Sequence, residues 1–124
     1  MLRTAKIVGF IPSKSFKKAK AFYNGKLRLR LVSEDNYALV FDANGTTLRI
    51  AKVEAFEAAE YTILGWEISR IDTLVATLRK RGVKFMRYSG MGQDKLGIWN
   101  SPSGARVAWF KDGDGNILSL TEHA

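Results

Sequence analysis

The sequence predicts an α+β fold in which one domain, residues 1–124, contains two βαβββ modules. The order strand, helix and three strands occurs twice, at about half the chain length, which is itself a fold signal. Each predicted helix ends at a glycine, and the chain closes with two strands around the turn Asp112-Gly-Asp-Gly-Asn116. We place module 1 at about 1–53, a linker at about 54–60 and module 2 at about 61–124.

Module 1 begins with a strand over Thr4 to Ile11, predicted from its β-branched residues and broken at Pro12. Ser13 or Ser15 can cap the helix that follows, from about Phe16 to Tyr23. Its aromatic residues share one face and its lysines the other, and Asn24-Gly25 ends it. Three further strands are predicted over residues 27–32, 37–42 and 46–53.

Module 2 repeats this order. A strand is predicted over residues 61–69, and apolar residues at helical spacing predict a helix over 72–81 that Gly82 terminates. Residues 83–87 and 96–99 are typical of short strands, and the Gly-rich loop between them, 89–94, could act as a lid. The final hairpin spans residues 105–122.

Composition narrows the function classes. A hydrophobic content of 46% and a charged content of 26% are typical of a globular protein, and the absence of cysteine excludes disulfides and thiolate sites. The chain has no signal-peptide core and no apolar run of about 20 residues, so we expect a cytoplasmic protein without a membrane partner. The net charge of +8 favours anionic partners, but the basic residues are dispersed, so nucleic acid is an unlikely partner.

Three stretches resemble the vicinal oxygen chelate superfamily, which includes glyoxalases, bleomycin-resistance proteins and extradiol dioxygenases. They are the closing hairpin, the Phe22-Tyr23 to Leu31 stretch, and the Trp66 to Phe85 stretch with its Arg-Gly-Val strand entry. The sequence departs from the usual pattern at Gly113, where the superfamily has Pro, and at Arg28, where it has Gly. The resemblance implies a curled mixed sheet around a central cleft, helices outside, and a homodimer.

In metal-dependent members of this superfamily, His, Gln and Glu side chains on four strands hold a metal ion. Counting from the landmarks above places those positions on Val8, Arg49, Ile63 and Ser119. Val8 and Ile63 cannot coordinate a metal ion. Arg49 is a permanent cation, and Ser119 offers only a weak, neutral hydroxyl oxygen. We therefore expect no metal and no other cofactor.

The remaining candidates for the cleft follow from strand alternation, in which residues two apart share a face. If Arg49, Ile63 and Ser119 face inward, Glu67 does so too, and Arg49 and Glu67 form a possible inward pair. Its alternatives are a structural ion pair or side chains that reach solvent. Trp99 and Trp109 are candidates for stacking on a flat ligand, whereas Trp66 has the opposite parity to Ile63 and is expected in the core.

These observations leave three functional hypotheses. The first is a metal-free protein that binds a small anionic or neutral aromatic molecule, as bleomycin-resistance proteins sequester a drug, with ligand contacts at Arg49, Glu67, Trp99, Trp109 and Ser119. The second is a lyase or isomerase, metal-independent or with atypical metal ligands, in which Glu67 is the base and Arg49 clamps an anion. The third is an interaction module that uses the basic charge.

Overall fold

The computed structural model describes all 124 residues and divides into two compact units, Met1–Glu57 and Ala58–Ala124. The boundary falls inside the segment 54–60. Each unit has a four-stranded mixed sheet with one buried face. No helix of the structure is long and apolar enough to cross a bilayer.

The first unit contains β1 Val8–Ser13, β2 Arg30–Glu34, β3 Ala38–Ala43 and β4 Thr46–Lys52. A 3₁₀ turn, Leu2–Thr4, precedes β1, and the α-helix α1 Phe16–Ala19 continues as a π-helical segment, Lys20–Lys26. The strand order of this first sheet is β1-β4-β3-β2, in which β1 and β4 are parallel and the other pairs antiparallel.

The first strand begins later and ends later than predicted. Residues 5–7 are not in the sheet, and β1 runs on through Pro12 to Ser13, opposite Ala51 and Lys52 of β4. Proline lacks an N–H donor, but it is tolerated here because β1 is an edge strand and one side of its backbone needs no partner. The break predicted at Pro12 is therefore wrong by about two residues.

The helix of the first unit also passes its predicted end. Ser15 caps it as expected, since its hydroxyl accepts from the Lys18 N–H at 3.3 Å. The helix does not end at Asn24-Gly25. It continues because the Leu27 N–H donates to the Phe22 carbonyl at 2.9 Å in a π-type hydrogen bond. The wider turn places both Phe22 and Tyr23 in the core, where the Tyr23 and Phe41 ring centroids lie 6.0 Å apart.

The second unit contains β5 Thr62–Glu67, α2 Ile71–Lys80, β6 Trp99–Asn100, β7 Arg106–Lys111 and β8 Ile117–Glu122. The order of this second sheet is β5-β8-β7-β6, with β5 and β8 parallel, so it repeats the connectivity of the first sheet. The predicted α+β fold of two βαβββ modules is confirmed.

The prediction of strands over 83–87 and 96–99 is wrong in detail. Residues 83–87 make only an isolated bridge between Phe85 and Phe110, and β6 begins only at Trp99. The reason is a side chain in the intervening loop. Gln93 Nε2 donates to the carbonyls of Met86 and Gly97 at 2.9 and 2.7 Å, which occupies backbone acceptors that a strand ladder would use.

The closing hairpin is held by Asp112, which is 8% exposed. Its Oδ1 accepts from the N–H groups of Asp114 and Asn116 at 2.9 and 3.0 Å, and its Oδ2 accepts from Asn116 Nδ2 at 2.9 Å. Gly115 completes the turn with φ 89°. The turn sets the register of β7 against β8, in which Trp109 faces Ser119.

An ion-pair network holds α2 against the second sheet. Arg106 of β7 donates to both carboxylate oxygens of Asp72 at 2.6 and 2.8 Å, and its guanidinium lies 3.6 Å from Glu122 and 3.9 Å from Asp94. Glu122 also accepts from the Ile71 N–H at 3.3 Å and so caps the helix, whose own N-cap residue, Arg70, supplies no side-chain bond.

Candidate functional site

The second sheet has one face turned away from its core, which we call the open face. Its residues alternate with buried Leu118, Leu120 and Phe110 along the strands. Cross-strand pairing places the open-face residues in two rows, which are Gly65, Ser119 and Trp109, and then Glu67, Thr121, Val107 and Trp99. Four residues predicted to contact ligand, Glu67, Trp99, Trp109 and Ser119, thus lie on one face of one sheet.

Trp109 is the centre of an aromatic cluster on this face. Its ring centroid lies 6.0 Å from that of Trp99 at an interplanar angle of 36°, and 5.5 Å from that of Tyr88 at 89°. Trp99 and Trp109 are half-buried, and Tyr88 is 39% exposed. The cluster therefore presents three partly exposed aromatic surfaces, of the kind that bind flat apolar molecules.

Gln93 holds Tyr88 in place, a role that its sequence context did not predict. Its Oε1 accepts from the Tyr88 N–H at 2.7 Å, while its Nε2 holds the carbonyls of Met86 and Gly97. Gln93 thus ties both ends of the Gly-rich loop together. Nothing in the sequence predicted this role beyond the position of Gln93 in a Gly-rich loop, because a single glutamine carries no specific signal.

A cavity of about 360 Å³ adjoins the aromatic cluster. Tyr88 forms part of its wall, together with Ala58, Ala59, Glu60, Met86, Lys111, Gly115 and Ile117. Lys111 lies two residues from Trp109 on β7, so it shares the open face. Its ammonium forms no ion pair in the structure, whereas Glu60 supplies the one acidic side chain of the lining.

Glu67 lies at the solvent-exposed end of β5. Its side chain is 76% exposed, and its carboxylate is 3.1 Å from Nε2 of His123, the only histidine of the chain. The carboxylate of Glu67 is therefore not desolvated by burial. A general base at Glu67 would need that desolvation.

Trp66 lies on the other side of β5, as its parity indicated. Its ring stacks against the fully buried Phe110 with centroids 6.4 Å apart and an interplanar angle of 18°. Trp66 is thus part of the packing beneath the sheet, and only two of the three tryptophans belong to the open face.

Arg49 lies in the first unit, on the face of β4 opposite to buried Leu48 and Ile50. It is half-buried and is the cross-strand partner of Phe10 and Val40. An acidic group close to it is Asp35, whose pKa is lowered mainly by hydrogen bonds from the backbone N–H groups of Tyr37 and Ala38, with a smaller contribution from Arg49. The structure thus gives Glu67 and Arg49 separate electrostatic neighbours.

The side chains at the four expected metal positions do not fit a metal ion. Val8 and Ile63 carry no donor atom, Arg49 is a cation, and Ser119 offers a neutral hydroxyl. Gly65 is paired with Ser119, and a Cβ at residue 65 would lie 2.5 Å from Ser119 Oγ, so a side chain at residue 65 would require the Ser119 hydroxyl to move. No three His, Cys, Asp or Glu residues of the chain form a group that could hold a metal.

No protein-family model and no curated protein matches this sequence. Solved structures do match it along nearly its whole length. A glyoxalase/bleomycin resistance protein/dioxygenase superfamily member from Sphaerobacter thermophilus DSM 20745 is 22% identical, with 99% of this chain and 100% of that chain covered and a TM-score of 0.76. A glyoxalase/bleomycin resistance protein/dioxygenase from Alicyclobacillus acidocaldarius is 18% identical, with 97% and 92% covered and a TM-score of 0.76.

A third match is lactoylglutathione lyase from Agrobacterium tumefaciens, which is 14% identical, with 96% of this chain and 93% of that chain covered and a TM-score of 0.74. At such identities a structural likeness establishes the fold and leaves the activity open. The two βαβββ units, their matching strand orders and these neighbours agree with the resemblance in the sequence: the chain has the vicinal oxygen chelate fold of the glyoxalase/bleomycin resistance protein/dioxygenase superfamily.

Proposed function

We propose that this protein binds a small, flat, anionic or neutral aromatic molecule on the open face of its second sheet. The observation that carries the proposal is the aromatic cluster, in which Trp109 is flanked by Trp99 at 6.0 Å and Tyr88 at 5.5 Å. A flat ligand stacked on Trp109 would gain apolar burial and favourable ring contacts together. Ser119, beside Trp109 in the same row, offers a hydroxyl to a polar substituent.

Charge favours an anionic ligand whose acidic group lies at the Lys111 end of the face. Lys111 adjoins the cavity beside Tyr88, and the whole chain carries a net charge of +8. Glu67 lies at the opposite end of the face, where it would repel the same group. The face is thus polarised, and a ligand with one carboxylate or phenolate has one favoured orientation on it.

Sequestration without catalysis is the function we favour, because the residues at the metal positions supply no ligand set for the superfamily's metal chemistry. Bleomycin-resistance proteins, which the sequence resembles, are the precedent, although the basic charge here suits an anionic ligand rather than a cationic drug. We also propose a homodimer, which the same resemblance implies. That Arg49 contacts a ligand remains a prediction from the sequence. The central cleft that the resemblance implies also remains a prediction.

Binding of 1-naphthoate and of its neutral counterpart 2-naphthol tests this proposal, with thermal shift and tryptophan fluorescence as the readouts. Trp109→Leu should weaken both compounds about tenfold or more, since it removes the stacking surface. Lys111→Gln should weaken naphthoate and leave 2-naphthol unchanged. The matched controls are Phe10→Leu, an aromatic residue 66% exposed in the first unit, and Lys18→Gln on α1.

Two results would overturn the proposal. One is the absence of saturable binding of either compound to the unmodified protein. The other is equal weakening by Trp109→Leu and Phe10→Leu, which would place any binding away from the open face.

An enzymatic function is the second candidate; the pair of Glu67 and His123 is the observation behind it, and the 76% exposure of the Glu67 side chain counts against it. The two groups lie 3.1 Å apart at the edge of the open face, so a proton could pass between them and a bound molecule. In this proposal Glu67 is the base of a lyase or isomerase, and an anion clamp at Arg49 stays a prediction of the sequence. Hydrogen–deuterium exchange at an acidic carbon of a bound ligand should then occur with the unmodified protein and stop in Glu67→Gln; exchange that persists in the variant would exclude Glu67 as the base.

A further inference from the structure

We propose a second binding site, for a small anion with two or more phosphate groups, in a pocket near the C-terminal end of α2. This basic pocket has a volume of about 570 Å³. Four of its lining residues are cationic, and none is acidic. The lining consists of Arg79, Gly82, Val83, Lys84, Phe85, Arg87, Lys95, Leu96 and Gly97.

The four cations come from three separate segments of the chain. Arg79 is on α2, Lys84 and Arg87 follow the helix, and Lys95 belongs to the loop before β6. In the sequence they appear among dispersed basic residues and form no run. The fold therefore concentrates positive charge at one concave place, where the field of several cations adds up and attracts a multivalent anion.

The two guanidinium groups are already oriented. Both Nη1 and Nη2 of Arg87 donate to the Asp94 carbonyl at 2.8 Å, and Nη1 of Arg79 lies 3.5 Å from the Lys95 carbonyl. These bonds leave other N–H groups of each fork for a ligand, and they reduce the side-chain entropy lost on binding. The ammonium groups of Lys84 and Lys95 take part in none of the ion pairs of the structure.

Nearby negative groups are engaged elsewhere. The Asp94 carboxylate accepts from the N–H groups of Leu96 and Ile98 at 2.9 Å and lies 3.9 Å from Arg106. The last carbonyls of α2 are also occupied, because the N–H groups of residues 81, 82 and 83 donate to those of residues 77, 78 and 79. The negative pole of the helix is thereby partly neutralised at the pocket.

The chemistry of the lining indicates the ligand class. Four cations around one cavity match the charge of a diphosphate better than that of a single carboxylate, and Arg forks suit phosphate oxygens. Val83, Phe85 and Leu96 add an apolar wall that can hold an organic portion of the ligand. The pocket thus fits a phosphorylated small molecule.

The basic pocket is separate from the open face. The two cavities share no lining residue, and Phe85 and Arg87 line one of them while Met86 and Tyr88 line the other. The proposed phosphate site therefore does not depend on the function proposed for the aromatic cluster.

Titration calorimetry with pyrophosphate tests the proposal at low salt and at about 0.15 M salt. Lys84→Gln/Lys95→Gln removes two pocket charges that hold no structural bond, so it should keep the melting temperature and weaken pyrophosphate at least about tenfold. The matched control, Lys17→Gln/Lys18→Gln on α1, lowers the net charge equally and should leave the affinity within about twofold.

Equal weakening in the pocket variant and the control would overturn the proposal, since it would show nonspecific attraction to the net charge. No saturable heat from pyrophosphate would also overturn it. A single-stranded oligonucleotide serves as a third arm: if it binds more tightly than pyrophosphate and both double variants weaken it, the basic residues serve a nucleic acid and the small-molecule site is rejected.

Discussion

Gly65 and Ser119 approach each other so closely that they restrict what the open face can carry. A Cβ at residue 65 would lie 2.5 Å from Ser119 Oγ and 3.4 Å from the Ser119 carbonyl oxygen. Small residues at such a place let neighbouring strands pack without strain. A side chain at residue 65 therefore requires Ser119 to move, which couples the two positions sterically.

Gly65→Ala should destabilise the protein by about 1 kcal/mol, because Ser119 must leave its rotamer. Ser119→Ala alone should have a smaller effect, and adding it to Gly65→Ala should restore part of the loss, since the clashing hydroxyl is gone. Urea unfolding of the four proteins gives the coupling energy in a double-mutant cycle. Strictly additive effects would contradict the predicted clash.

Arg106 links three acidic residues, and its bond to Asp72 has a consequence for pH. The hydrogen bonds from Arg106 hold the pKa of Asp72 below its usual value of 3.8, and Asp72 raises the pKa of Arg106 in return. A carboxyl with a lowered pKa in the folded state contributes stability above its unfolded pKa and loses it as the pH falls through the folded value.

Arg106→Gln should therefore lower the melting temperature near neutral pH, and the difference from the unmodified protein should shrink as the pH falls below 3.8. Thermal melts from pH 7 downwards measure this. The matched control is Arg30→Gln, which breaks a 3.7 Å pair with Asp42 from a side chain that is 71% exposed and should have little effect at any pH. A difference in melting temperature that stays constant as the pH falls would contradict the stabilising role of the ionised Asp72 carboxylate.

Two hairpins, the one between β3 and β4 and the closing one between β7 and β8, each contain an aspartate that accepts hydrogen bonds from turn N–H groups, but the two aspartates lie in different environments. Asp112 is buried and accepts from three N–H groups, whereas Asp42, near the end of β3, is half-buried and accepts from the Gly45 N–H at 3.0 Å. Removing a hydrogen-bond acceptor lowers the free energy of unfolding most where water cannot replace it. The closing hairpin should therefore depend on its aspartate far more than the other does.

Asp112→Ala should cost about 2–3 kcal/mol, and Asp42→Ala about 1 kcal/mol or less. Denaturant unfolding followed by circular dichroism measures both. Because the closing hairpin sets the register of Trp109 against Ser119, Asp112→Ala should also change the tryptophan emission of the folded protein. Equal costs for the two substitutions would contradict the importance of burial.

All three tryptophans lie in the second unit, residues 58–124, so their fluorescence reports on that unit alone. Circular dichroism reports on both units. We predicted one domain for the whole chain, and the two units have equivalent strand orders in two separate sheets. Whether they unfold together is a property of the whole molecule.

If the chain unfolds as one cooperative domain, the denaturation curves from tryptophan fluorescence and from far-ultraviolet circular dichroism should coincide. Phe41→Leu, a core substitution in the first unit, should then shift both curves equally, because loss of one unit removes the other. A shift in the dichroism curve alone would show that the units unfold independently and would refute the single-domain prediction.

The order of elements was predictable because its signals are local. Alternation, helical spacing, serine caps and glycine ends each span a few residues, so β5, α2 and the closing hairpin were located to within about two residues. The same local parity separated Trp66 from the open face. The prediction of strands from local pattern failed between residues 83 and 98. There the Gln93 side chain forms hydrogen bonds with backbone groups that would otherwise pair between strands.

The sequence by itself determined the two-module plan and the residue types at the expected metal positions, among which there is no His, Gln or Glu, since residue type and local spacing decide both. Only the tertiary structure decided which distant residues meet. It joined Trp99, Trp109 and Tyr88, paired Glu67 with His123, and gathered Arg79, Lys84, Arg87 and Lys95 into one pocket. These contacts follow from strand pairing and loop closure across many residues, which no local pattern encodes.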